Sequence, residues 1–150
     1  MINFSVTEHI SVVTFGNIPY ESESDFIYRL FRLSAEENIN IDMISRASVS
    51  TDRTSVGFTF SDDDISLMLK VLGSLSFYRP PLVSCGNVKI SVKTSDMING
   101  KGFAMKVFSV LSELNITPIL VTTSEDEISV VVRASDSSDF EKKLKSVFLC

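Results

Sequence analysis

This chain repeats itself. Phe26, Arg29, Phe31, Asn38 and Ile39 return as Phe103, Lys106, Phe108, Asn115 and Ile116, all at one offset of 77 residues. Self-similarity at a fixed period marks a structural unit used twice. Two units in 150 residues leave about 70 residues each, a size at which a lone hydrophobic core is marginal. Such units gain by packing on each other or on a second chain. The 44% hydrophobic content, with 11 Phe, belongs to packed cores rather than to a disordered chain.

The local patterns give each unit the same order of elements. Ile10 to Phe15 reads as a buried strand. Gly16 to Glu23 reads as a polar loop stopped by Pro19, with Ser22 or Ser24 capping a helix that runs to about Glu37. Phe26, Ile27, Leu30 and Phe31 share one face of that helix. A second strand follows over Ile39 to Ala47. Across the turn from Ser48 to Arg53 comes a third, Thr54 to Phe60, in which Val56, Phe58 and Phe60 alternate. Ser61 is a strong N-cap, and Asp62, Asp63 and Asp64 suit the positive end of a helix dipole better than a metal site. Ile65, Met68, Leu69, Leu72 and Leu75 form a core stripe, and Leu82 to Ser84 closes the unit. The order is β-α-β-β-α-β.

The second copy runs through Val88, Ile90 and Val92, a Gly-rich loop over Met97 to Gly102, and a helix from Phe103 to Leu114. A strand over Ile116 to Thr122 contains Pro118, which points to an edge or a bulge. Ile128, Val130 and Val132 alternate next. Ser138 to Glu141 has capping-box spacing before the last helix. No closing strand follows. Ile2, Phe4 and Val6 alternate at the other end of the chain and are expected to supply it, because a sheet edge would otherwise stay open. This places the first unit, residues 8–85, as an insertion in the second, residues 1–7 plus 86–150. The fold class is α+β: two ferredoxin-like units, antiparallel sheets with helices on one face.

Several functions are excluded by composition. A net charge of −5 with no basic run makes nucleic acid a poor partner. No apolar run approaches the length that spans a bilayer, and the N-terminus has no signal-peptide character, so a cytoplasmic setting is expected. One histidine, His9, and two cysteines, Cys85 and Cys150, do not assemble a catalytic or metal site, and both thiols read as free. No cofactor is implied.

The ferredoxin-like plan hosts many functions. Here the run Glu37 to Ile44, the run Ser61 to Ile65, and the second-copy segments Gly102 to Phe108, Leu114 to Ile116 and Thr123 to Val131 resemble the paired ACT domains of aspartokinases. The likeness covers nearly the whole chain and has no kinase domain in it, as in the small regulatory subunit of some aspartokinases. It implies an amino-acid sensor for lysine, threonine or both, working as a homodimer through ACT–ACT sheet pairing, with a kinase catalytic chain as a further partner. It also implies effector-binding residues Asn38 and Ile39 in the first unit, and Asn115, Ile116, Thr123, Ser124 and Glu125 in the second, with no catalytic residue. The first loop departs from the family: its Asp-Lys-Pro-Gly type motif is absent, leaving Glu21 or Glu23 as the available carboxylate. Asn38 and Asn115 equally suit left-handed helix ends. Two other readings stand beside the sensor. One is an interaction module without ligand. The other is a small acylphosphatase-type hydrolase, for which the anion-binding loop with its arginine is missing.

Overall fold

The computed structural model describes residues 1–77, 79–95 and 101–149. They form β1 (Ile2–Pro19), α1 (Tyr20–Glu36), β2 (Ile44–Ser48), β3 (Arg53–Ser61), a 3₁₀ turn over Asp62–Asp64, α2 (Ile65–Gly73), β4 (Leu82–Thr94), α3 (Phe103–Glu113), β5 (Leu120–Thr123), β6 (Glu127–Arg133) and α4 (Ala134–Leu149). Contacts divide the chain into two compact units, His9–Cys85 and the pair Met1–Glu8 with Gly86–Cys150. The first unit is therefore inserted in the second. Strands follow the hydrogen-bonded order β2-β3-β1-β4-β6-β5. Since β1 and β4 pass through both units, the first unit has the sheet β2-β3-β1-β4 and the second has β1-β4-β6-β5.

Alternation explains the cores. In the first unit Val13 and Phe15 of β1 and Val56, Phe58 and Phe60 of β3 point to one face, where they meet Leu30 of α1 and Met68, Val71 and Leu72 of α2. In the second unit Val88, Ile90 and Val92 of β4 and Ile128, Val130 and Val132 of β6 meet Val107, Val110 and Leu111 of α3 and Phe140 and Leu144 of α4. Ile2 and Phe4 pack on this second core, and the Phe4 ring meets Phe148 at 6.2 Å, edge on. The N-terminal segment thus closes the far unit.

Several local expectations need correction. The segments read as separate strands at Ile2 to Val6 and Ile10 to Phe15 are one strand, β1, which bends at His9 with φ of 60°. Its counterpart β4 likewise joins the short closing strand to the next one, through Gly86 at φ of 71°. The loop expected over Gly16 to Glu23 is mostly absent, because β1 continues through a bulge between Phe15 and Ile18 and pairs Ile18 with Thr54 and Pro19 with Arg53. Pro19 is then the N-cap of α1, with no side-chain cap from Ser22 or Ser24.

The strands expected from Ile39 and from Ile116 begin later, at Ile44 and Leu120, since each helix end and the extended stretch after it use those residues. The last helix starts at Ala134 directly after β6, so Ser138 lies inside it and is no cap. Most of the Gly-rich stretch Met97 to Gly102 lies outside the described residues, as does Cys150.

Candidate functional site

Both implied effector corners are helix ends built the same way. At α1, Asn38 has φ of 60°, and its N–H donates to the Ala35 carbonyl at 2.9 Å while the Ile39 N–H donates to the Ser34 carbonyl at 2.9 Å. At α3, Asn115 has φ of 54°, with Asn115 N–H on Ser112 at 3.2 Å and Ile116 N–H on Leu111 at 2.9 Å. This paired bond pattern is the Schellman motif, and Asn supplies the left-handed residue that it needs. Ile39 and Ile116 follow as the buried apolar residue of the motif, 6% and 8% exposed. Beside the first corner, Lys70 of α2 donates to Glu37 at 2.7 Å and fixes its side chain.

The capping bonds change which groups can meet a ligand. The N–H groups of Asn38, Ile39, Asn115 and Ile116 are already engaged, so only their carbonyls remain. The donors left over lie one step further on. Among the described residues, the N–H groups of Asn40 and Ile41 have no intramolecular acceptor, and pairing resumes with Asp42 N–H on the Thr59 carbonyl at 3.1 Å and Met43 N–H on Thr59 Oγ1 at 2.9 Å. The equivalent residues of the second unit are Thr117 and Pro118, and pairing resumes with Ile119 N–H on the Val131 carbonyl at 2.8 Å. Pro118 has no N–H. The first corner offers two adjacent donors and the second offers one.

Thr123, Ser124 and Glu125 sit elsewhere. Thr123 ends β5 and pairs with Ile128. Ser124 opens the turn, its N–H on the Glu127 carbonyl at 2.8 Å and its hydroxyl on Asp126 at 3.2 Å. Glu125 is exposed at the turn tip. Seven residues separate Ile116 from Thr123, which is about 20 Å at the rise of an extended chain. Residues 120–123 are β5, so the turn lies at the other end of that strand from the Asn115 corner.

At the opposite end of α1, sequence reading missed a pair that the structure makes prominent. Arg46 of β2 donates to both oxygens of Glu23, at 2.6 and 2.9 Å. Those hydrogen bonds hold the Glu23 carboxyl below the usual carboxylate range, against partial burial, which pulls the other way. Tyr20 lies next to them, its hydroxyl 2.6 Å from Ser48 Oγ and its ring 5.9 Å from the Arg46 guanidinium. Glu23, offered above as a substitute carboxylate for a ligand, is thus committed to Arg46. The pair spans 23 residues of sequence, which no local pattern reports. Glu21 stays exposed. Among the described residues no group of three or more His, Cys, Asp or Glu side chains is placed to hold a metal ion, and no helix is long and apolar enough to cross a membrane.

The profile of the ACT domain family matches residues 90–148, almost all of the second unit. The first unit repeats its order of elements and its helix-end geometry. Residues 90–148 are thus similar to an ACT domain. The aspartokinase of Bacillus sp. (strain MGA3) is 29% identical to this chain over 144 residues, which take in 94% of this chain and 34% of that relative. The chain therefore spans about a third of the length of the curated aspartokinase it matches. Among solved structures, the ligand-free regulatory subunit of aspartate kinase from Thermus thermophilus superimposes with a TM-score of 0.82 at 18% identity, over 97% of this chain and 96% of that one. A chain from a structure of aspartokinase alpha and beta subunits gives a TM-score of 0.86 at 20% identity, over 99% and 98%. At these identities the superpositions speak for the fold.

Proposed function

We propose that this chain senses a free amino acid, lysine or threonine, and passes its state to an aspartate kinase catalytic chain. The observation that carries the reading is the unpaired backbone at Asn40 and Ile41. A zwitterion needs donors for its carboxylate and acceptors for its ammonium group. Two adjacent N–H groups, with the carbonyls of Asn38 and Ile39 beside them, supply both. Hydrogen bonds of this charge-assisted kind are the strong ones.

One copy gives only part of a pocket. The start of α1 lies about 25 Å from Asn38, the length of a 17-residue helix. A second copy running antiparallel along the same edge would set its α1 start beside the first copy's Asn40. Two features support such pairing. Among the described residues the strands β2 and β5 each have one partner, β3 and β6, and leave an open edge. Exposed apolar side chains flank both edges: Tyr28 and Ile44 in the first unit, Met105 and Phe108 in the second. An effector bound across that seam would favour the paired arrangement, and this differential affinity would shift a catalytic partner. Pro118 favours a second reading for the second unit alone, as a pairing surface without a ligand.

Calorimetric titration of the chain with each of the twenty amino acids tests the proposal. Saturable heat with lysine or threonine is the expected result, together with a concentration-dependent dimer in sedimentation. Absence of heat from all twenty would refute it.

A further inference from the structure

The first unit contains a cavity of about 300 Å³ where β1 ends and α1 begins. Its walls are aromatic. Phe15 forms the floor, and Phe26 and Phe77 stand edge-on to it at 5.0 and 5.9 Å between ring centres. Ile18 of β1 completes the apolar lining. Phe77 is 37% exposed, an unusual degree for a phenylalanine that already touches a core ring. One cation lines the space. Arg79 is exposed and has no hydrogen-bond or ion-pair partner among the described residues. Asn17, Ser22 of α1 and Ser76 are the other polar side chains of the lining. The nearby acid Glu23 is bound to Arg46 and does not neutralise Arg79.

The second unit has a hollow at the matching place. There the space is about 470 Å³, lined by Phe103, the repeat partner of Phe26, by Phe148, and by Lys101 and Lys106. The Lys106 ammonium is 5.5 Å from the centre of the Phe148 ring. The two hollows share a phenylalanine at one repeat position, Phe26 and Phe103, while their cations stand at different positions of the repeat.

We infer that the cavity of the first unit binds a small monocarboxylate with an aromatic or branched apolar body. The apolar body replaces water against Phe15, Phe26 and Phe77, and the carboxylate takes the guanidinium of Arg79. A planar guanidinium matches a carboxylate with two parallel hydrogen bonds. Three aromatic walls and one cation fit one negative charge on an apolar frame, and a volume near the lower limit for small-molecule sites keeps the ligand small. This site is separate from the amino-acid corner. Within one copy it lies at the other end of α1, and its lining comes from that copy alone.

The test uses the full chain labelled with ¹⁵N, titrated with 3-phenylpropionate, 4-methylpentanoate and, as the charge-reversed isostere, 3-phenylpropylamine. Amide shifts are followed at Gly16, Asn17, Ser22 and Ser76. The expected result is saturable shifts at these amides with both carboxylates and none with the amine. Arg79→Gln weakens binding by about tenfold or more, as loss of a charged hydrogen-bond partner does, and Phe77→Ala weakens it as well. Both side chains are partly or fully exposed, so neither change endangers the fold. Three outcomes overturn the inference: no saturable shift with either acid at millimolar concentration, equal binding of the amine, or unchanged affinity in Arg79→Gln.

Discussion

Ile41→Pro copies the second unit into the first. It removes the backbone donor of Ile41 and changes almost nothing else. That N–H has no intramolecular acceptor among the described residues, so no internal hydrogen bond is lost. The repeat partner Pro118 shows that a proline fits this place in the unit, with the preceding residue extended as proline demands. Ile41 is partly buried against the first core. Trimming it costs about 0.5–1 kcal/mol at roughly 0.8 kcal/mol per buried methylene. Proline returns about 0.4–1 kcal/mol by restricting the unfolded chain. Net stability should stay within about 1 kcal/mol of wild type. Effector binding should behave differently. A hydrogen bond to a charged carboxylate is worth about 1.5–3 kcal/mol, which is about a 10- to 150-fold loss in affinity. Calorimetric titration with lysine and threonine reads the affinity, and urea denaturation reads the fold. A folded Ile41→Pro chain that binds as wild type does would refute the assignment of this donor.

Three further outcomes follow from the geometry. Phe140→Ala empties a fully buried position of the second core and should cost about 3–5 kcal/mol in urea or thermal unfolding. Gly86→Ala meets no atom within 4 Å of the added Cβ, so its effect isolates backbone strain at φ of +71°, about 1–2 kcal/mol in the same assay. The Glu23 carboxyl is depressed by Arg46 in the folded chain, so its contribution is present above the ordinary pKa of 4.5 and fades as pH falls through the lower folded value. Stability of wild type should therefore fall below about pH 4.5 more steeply than that of Glu23→Gln, measured by denaturant midpoints across a pH series.

Periodicity made the cores legible. Val56, Phe58 and Phe60, or Val88, Ile90 and Val92, alternate so regularly that their face was set before any coordinate was known, and all six are buried. The repeat showed which residues are equivalent, and the missing last strand pointed to Ile2 and Phe4 as its substitute. What periodicity could not show was continuity. Glu8 and His9 interrupt the apolar pattern of β1, yet the backbone continues through them because its hydrogen bonds do not depend on side-chain polarity. The helix corners were readable as left-handed asparagines. That the caps would consume the N–H groups of Asn38 and Ile39, and pass the open donors on to Asn40 and Ile41, follows only from counting bonds. The Glu23–Arg46 pair was hidden for another reason: its partners are brought together by the return of β2 along α1, not by spacing in sequence.

The insertion of one unit in the other sets an order on synthesis. Met1–Glu8 is made before His9–Cys85, yet its neighbours begin at Gly86. Until those residues emerge, Ile2 and Phe4 have no sheet to join, while His9–Cys85 is already whole and free to fold. A nascent chain halted just after Cys85 would present the whole of His9–Cys85 with the apolar side chains of Ile2 and Phe4 uncovered. That uncovered segment is a point at which a chaperone, or a strand from another ribosome's product, would reach this protein.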